Sequence, residues 1–208
     1  MIKNIVFDMG GVLVDVHREE AVRQFRAIGV ADADRLIDSS HHSGIFLDIE
    51  SGAIDAETFC RLLCEHAGKN IPREAIEHAW KSIISKPPAY KLDYLLELRK
   101  QYKLYLLSNN NPILIDWART SDFSPAGHPV TFYFDKLYIS YEMKCVKPDR
   151  AIFEAMIRDS GILPSESLFI EDGLHNIRTA KEVGFRTYLA QNGEDWRKPV
   201  EEILQRNC

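Results

Sequence analysis

Four separated stretches of the sequence put acids, a hydroxyl and a lysine where apolar runs stop, and the set suits transfer of a phosphoryl group. Ile5-Val6-Phe7-Asp8-Met9-Gly10-Gly11-Val12 ends a β-branched and aromatic run on one carboxylate and two glycines. A charge is costly to desolvate, so Asp8 belongs at the end of a buried strand, facing a polar site. Gly10 and Gly11 permit a positive φ or the close approach of a ligand to bare backbone. Leu106-Leu107-Ser108-Asn109-Asn110 offers a hydroxyl and amides at a second such end, Lys147 stands ahead of Pro148, and Ile170-Glu171-Asp172-Gly173 closes a fourth run with two acids. Taken singly, each has an ordinary structural role: a solvated strand exit, a helix N-cap, a helix start, an acidic corner. Taken in order, they are the parts one reaction needs.

Phosphoryl transfer asks for a positioned nucleophile and for neutralisation of negative charge. A carboxylate can be that nucleophile, giving an aspartyl-phosphate that water then breaks. Asp8 would repel a phosphate unless a cation offset both charges, and Mg²⁺, a hard octahedral ion that takes oxygen ligands, meets that need. The expected ligands are Asp8, Asp172 and the Gly10 carbonyl, with Glu171 reaching through water. Ser108 and Asn109 are expected to bind phosphate oxygens together with Lys147, whose fixed charge would also stabilise charge developing in the transition state. Asn176, four residues beyond Asp172, could brace the acid pair or cap a helix, and His175 is expected at the surface.

An alternation of strands and helices must bring these ends together. Strands are expected over 5–7, 104–107, 136–139, 167–170 and 186–189, and helices over 91–100, 112–119, 148–160, 174–183 and 196–205. That alternation implies an α/β fold, a Rossmann-like parallel sheet covered on both faces, whose ligands bind beyond the carboxyl ends of the strands. Between the first and second strands the sequence reads as helix only, over 18–28, 32–39, 55–67 and 73–84, until Pro87-Pro88 closes the block. The expected organisation is a core of residues 1–15 and 89–208 with an inserted helical cap of 16–88. Residues 121–135 read as a longer loop, either a surface excursion or a wall of the site.

The 208 residues carry 26 Lys and Arg against 31 Asp and Glu, a net charge of −5 without a basic run, which argues against a nucleic-acid partner. No apolar stretch approaches the roughly 18 residues that would cross a membrane, and the N-terminus starts directly into a strand, so a cytoplasmic protein is expected, as a monomer or homodimer. Cys60, Cys64, Cys145 and Cys208 are expected as reduced packing residues. His41 and His42 show no metal spacing and are expected in a loop or at the surface.

At these residues the chain resembles the haloacid dehalogenase superfamily of phosphatases. Asp8-Met9-Gly10-Gly11-Val12 is similar to its first motif, Leu106-Leu107-Ser108-Asn109 to its second, Lys147-Pro148 to its third, and Ile170-Glu171-Asp172 with Asn176 to its fourth. The likeness spans the chain and points to the capped sugar-phosphatase branch, near the α-glucose-1-phosphate phosphatases and the N-terminal domain of soluble epoxide hydrolases. It implies Asp8 as nucleophile, the Gly10 carbonyl as a Mg²⁺ ligand, and a cap that closes over a small phosphorylated metabolite. One departure matters: the family's second aspartate, two residues after the nucleophile and general acid and base in most members, is here Gly10. That help is worth roughly 10²–10⁴ in rate. A substrate with a good leaving group would need it less, Asp15, Glu19 or Glu20 could replace it, or the protein could bind phosphate and turn over slowly or not at all. Of the helical segment, Phe46, Asp48, Glu50 and Trp80 are the residues that could face a substrate or pack the core.

Overall fold

The five strands lie in one parallel sheet, in the order β3-β2-β1-β4-β5. They are β1 (Asn4–Phe7), β2 (Lys103–Ser108), β3 (Lys136–Ile139), β4 (Ser167–Glu171) and β5 (Arg186–Leu189). The computed structural model describes residues 1–38 and 42–206. β1 pairs on one side with β2 and on the other with β4, Phe7 standing opposite both Leu106 and Ile170. The chain thus builds outward from β1 in one direction and then returns to build in the other, which makes the end of β1 the switch point where such sheets take ligands.

Alternation along the strands divides the core in two. Ile5, Phe7, Leu104, Leu106, Leu168 and Ile170 face one layer, packed against α6 (Ala89–Leu98), α7 (Pro112–Ala118) and α11 (Arg197–Gln205). Val6, Leu107 and Phe169 face the other, against α9 (Arg150–Ser160) and α10 (Leu174–Val183). The helix ends follow local chemistry. Asn111 and Asp149 accept backbone N–H groups at the starts of α7 and α9, and Gly161 and Gly184 take the left-handed conformation that closes α9 and α10. Residues 121–135 do not wall the site: they run along the surface, anchored by Phe123, Val130, Tyr133 and Phe134, which are buried in the first layer of the core.

Between β1 and β2 lie α1 (Arg18–Ala27), α2 (Ala33–Leu36), α3 (Ile45–Ser51), α4 (Ala56–Ala67) and α5 (Arg73–Lys81). They enclose an apolar cluster of their own around Phe25, Phe46, Phe59 and Trp80, which Ile113 and Leu114 of α7 join from the sheet side. Two antiparallel connectors link this segment to the sheet: Val16 bridges Ile84, and His17 N–H donates to Ile83 O at 2.6 Å. The helix expected over 32–39 stops at Leu36, where Ile37 turns extended. Its last residue, Ser39, lies outside the described residues, as do His41 and Cys208. His42 is buried, 7% exposed, against the expectation of a surface position. It sits edge-on to Phe46 and close to the Trp80 ring, apolar contact that a neutral imidazole tolerates. Cys60, Cys64 and Cys145 are free thiols. Among the described residues no helix is long and apolar enough to cross a membrane.

Candidate active site

Beyond the carboxyl ends of β1 and β4 the four chemistry-bearing stretches converge. Asp8 follows β1 directly, its N–H still bonded to Ile170 O at 2.9 Å, so the sheet itself fixes where the carboxylate emerges. The following turn is tied by Gly11 N–H to Val14 O, and by Lys91 Nζ and Trp196 Nε1, which donate to the Val12 carbonyl at 2.7 and 2.8 Å. Carboxylate oxygens of Asp8, Glu171 and Asp172 lie within 4.8 Å of one another. Gly11 makes that crowding possible. Its φ is +67°, and a Cβ there would stand 2.0 Å from the Asp172 carboxylate.

Lys147 answers this negative charge. Its Nζ is 2.5 Å from Glu171 Oε2 and 3.0 Å from Asp8 Oδ1, and Lys147 and Glu171 are each 1% exposed. The contact with Asp8 lacks the direction of a hydrogen bond, so Oδ1 remains a buried oxygen without a directed donor. Burial opposes the charge on Lys147, but Asp8 and Glu171 outweigh it and hold its pKa above the usual lysine value. Burial, and then the charge of Glu171, push Asp8 up to about 7 against the pull of Lys147. Burial and the charge of Asp8 raise Asp172 as well. Glu171 is committed on both oxygens: Oε2 to Lys147, and Oε1 to the N–H groups of Asp172 and Gly173 at 3.1 and 2.9 Å.

The side chain of Asn109 is engaged within the protein. It clasps the backbone of Lys147, donating to the carbonyl at 2.8 Å and accepting from the N–H at 2.7 Å. Both ends of the amide are thereby used, and what they position is the lysine. Ser108 is buried at the end of β2, and among the described residues its hydroxyl makes one long bond, 3.4 Å, to Asn109 O. Asn176 lines the cavity and packs against Gly173, and His175 is exposed as expected.

A cavity of about 100 Å³ opens over these groups, walled by Asp8, Gly10, Asn109, Lys147 and Asp172 on the sheet side. The helical segment supplies the facing wall: Asp38, His42, Glu50, Trp80 and Ile83. Of the four residues of that segment singled out from the sequence, Glu50 and Trp80 line the cavity, whereas Phe46 is wholly buried packing and Asp48 stands elsewhere. Asp15, Glu19 and Glu20, offered as stand-ins for an acid at Gly10, do not line it. Glu19 pairs with Arg18 and Glu20 with Arg23 at the surface, and the backbone of Asp15 is tied to Ser85 in the connector. Asp38 and His42 are not legible as cavity residues from the sequence, because Asp38 falls at the end of an expected helix and His42 stands in an expected loop. Only the unusual density of polar residues between Ile37 and Ile45 marks that stretch.

A family model described as haloacid dehalogenase-like hydrolase matches residues 2–184. Over 204 residues the chain is 46% identical to a D-ribitol-5-phosphate phosphatase of Bacteroides thetaiotaomicron, spanning 98% of this chain and 99% of the relative. Its fold is similar to that of a HAD-like family hydrolase from Porphyromonas gingivalis, with TM-score 0.95 and 43% identity, covering 99% of this chain and 98% of the other. It is also similar to a HAD family enzyme from Bacteroides thetaiotaomicron solved as a complex with magnesium and inorganic phosphate, with TM-score 0.88 and 41% identity, covering 94% of this chain and 98% of the other.

Proposed function

The chain belongs to the haloacid dehalogenase-like hydrolases, and we propose that it is a Mg²⁺-dependent phosphatase of a small phosphorylated polyol or sugar, a pentitol 5-phosphate in the first instance, with Asp8 as nucleophile. The observation that carries this reading is the gathering of the Asp8, Glu171 and Asp172 carboxylates within 4.8 Å around one buried lysine. The named relative, a phosphatase 46% identical over nearly the whole chain, supports the substrate class.

The residues fit a divalent cation. Three acids face one lysine, the raised pKa values of Asp8 and Asp172 mark charge that the protein alone does not satisfy, and Asp8 Oδ1 is buried without a directed donor. Asp8, Asp172 and the Gly10 carbonyl would hold Mg²⁺, with Glu171 behind them fixing Lys147 and the turn. When bound, the ion would offset the charge of acids and phosphate and polarise the phosphoryl oxygens.

The chain's own groups then divide the work. A carboxylate oxygen of Asp8 attacks phosphorus and the substrate's alkoxide leaves. Water later attacks the aspartyl-phosphate, releasing inorganic phosphate and restoring the carboxylate. Lys147, locked by Glu171 and by the Asn109 clasp, holds positive charge beside the attacking oxygen without having to reorient. Ser108, whose hydroxyl proton is weakly used, would donate to a phosphate oxygen, and Asn109 would act through its backbone and through Lys147. Residues 16–88 serve as a cap over a core of 1–15 and 89–208. We take the enzyme to work in the cytoplasm, as a monomer or homodimer.

Gly10 favours a second reading, a slow or non-catalytic phosphate-binding protein, and the close relative named as a phosphatase weighs against it. A turnover screen of phosphorylated metabolites with Mg²⁺, run beside Asp8→Asn, separates the two. Mg²⁺-dependent release of phosphate that vanishes in the variant supports the phosphatase. Tight binding without turnover across the panel supports the binder, and unchanged turnover in Asp8→Asn refutes the role of Asp8.

A further inference from the structure

Two donors from distant parts of the chain meet on one carbonyl of the turn that follows Asp8. Met9 O closes that turn by accepting from Leu13 N–H at 2.9 Å and Val14 N–H at 3.1 Å, and Gly11 N–H returns to Val14 O at 2.8 Å. The Val12 carbonyl takes no part in this closure. It is served from outside, by Lys91 Nζ on α6 at 2.7 Å and by Nε1 of Trp196, the residue before α11, at 2.8 Å. Trp196 also sets its ring 5.2 Å from that of Phe7, the residue before Asp8. The indole thus holds the chain on both sides of Asp8.

Lys91 is the part that packing does not call for. It is wholly buried on the side of α6 that carries Leu92, Leu95 and Leu98 into the core. One donor satisfies a carbonyl, and Trp196 already supplies it. The charges that face Lys91 are Asp15, Glu194 and Asp195, and among the described residues none of them forms an ion pair with it. Glu194 instead accepts from the Tyr188 hydroxyl and the Gln191 N–H, and Asp195 pairs with Arg197 at 2.7 Å. Burial therefore prevails and draws the Lys91 pKa below the usual lysine value. A buried ammonium without a close counter-charge costs stability.

What that cost sustains is the place of the turn. Gly11 lies against the Asp172 carboxylate, and Gly10 walls the cavity. The sheet fixes where Asp8 leaves β1 and where Asp172 follows β4, but only the turn fixes the Gly10 carbonyl between them. Mg²⁺ demands near-octahedral oxygen ligands and tolerates little displacement of one of them.

We propose that Lys91, together with Trp196, is a positioning residue for the metal: the two donors anchor the Val12 carbonyl from the core side and so hold the Gly10 carbonyl in register with the carboxylates of Asp8 and Asp172. The proposal rests on the reading of these groups as a Mg²⁺ site and adds to it a buried lysine retained at a cost in stability.

Thermal unfolding of the full chain over a range of Mg²⁺ concentrations tests it. The melting temperature without metal reports stability, and the Mg²⁺ concentration at which it begins to rise reports affinity. Lys91→Met keeps a long unbranched side chain and removes the charge and the donor. It should melt at or above the wild-type temperature without metal and yet need roughly tenfold more Mg²⁺ for the same rise. Trp196→Phe keeps a ring against Phe7, removes the other donor, and should also need more Mg²⁺; it decides by itself should Lys91→Met fail to fold. Leu98→Ala, two turns further along α6, loosens the core without touching the clamp, and should melt lower with the wild-type Mg²⁺ requirement. An unchanged Mg²⁺ requirement in Lys91→Met and Trp196→Phe overturns this inference alone, as does a requirement raised equally by Leu98→Ala. A wild type whose melting ignores Mg²⁺ overturns the cation reading and this inference with it.

Discussion

At the scale of single residues the site is an unfinished charge balance. Asp8 titrates near 7 rather than at its ordinary 3.8 because burial and Glu171 oppose its ionisation. Between those values the folded protein keeps a proton that the unfolded chain has shed, so metal-free stability should fall as pH rises across that window, and Asp8→Asn should flatten the slope. Mg²⁺ binds the ionised carboxylate, so below about pH 7 its binding should release a proton, and its affinity should rise with pH and then level off. Calorimetry at about pH 6 in two buffers of different ionisation enthalpy checks this; a heat independent of buffer would contradict it. Gly10 invites a second test. A Cβ there would stand 3.2 Å from Val16 Cγ2, so an acid at this position needs room. Paired with Val16→Ala, Gly10→Asp should speed hydrolysis of phosphates with poor leaving groups by roughly 10²-fold if the missing acid limits the rate. No gain in a folded double variant would show that it does not.

Much of the residue scale is legible from the order of types alone, since Asp8 and the Glu171-Asp172 pair each close an apolar run that has no other use for a charge, and Lys147 stands between them ahead of Pro148. Asn109 is not, because an amide at a strand end serves equally as ligand or clasp, and only the position of the Lys147 backbone decides. Trp80 is a residue of both kinds, core by its ring and cavity wall by its place, and periodicity reports only the first.

At the scale of elements, the strands and most helices follow from hydrophobic period and caps, and two of the short helices do not. α3 occupies seven residues between Gly44 and Gly52, and α8 (Ser140–Met143) only four. Neither is long enough to show a period or to be stable alone. Both owe their existence to each other. Gly52, left-handed at φ +71°, closes α3 against α8, where a Cβ would stand 2.2 Å from the Tyr141 carbonyl. Ser140, wholly buried, accepts from Asn110 N–H at 2.9 Å while donating to Glu50 O, so one hydroxyl joins α3 to the loop after β2. Ser140→Ala should cost ~1–3 kcal/mol in thermal or denaturant unfolding, since it leaves buried backbone groups unpaired. A variant with wild-type stability would show that the joint is incidental.

At the scale of the whole molecule, the segment between β1 and β2 and the sheet each have an apolar cluster, and the cavity lies where the two meet. The connectors that join them follow the turn after Asp8, and Asn192 clasps one of them, accepting from Val16 N–H at 2.8 Å and donating to Val16 O at 3.0 Å. The α/β class and the inserted helical segment are legible from the alternation of strand and helix. Which faces of the inserted helices look into the cavity is not, because that depends on how two separately packed bodies are set against each other. All the chemistry converges on the carboxylate that follows β1. The most direct measurement is to quench the Mg²⁺-loaded protein during turnover of a pentitol 5-phosphate, reduce any acyl phosphate with borohydride, and map the modified peptide by mass spectrometry. Reduction confined to Asp8, and lost without Mg²⁺, is the expected result. An unmodified Asp8 in protein caught during rapid turnover, or a modification at another acid, would contradict it.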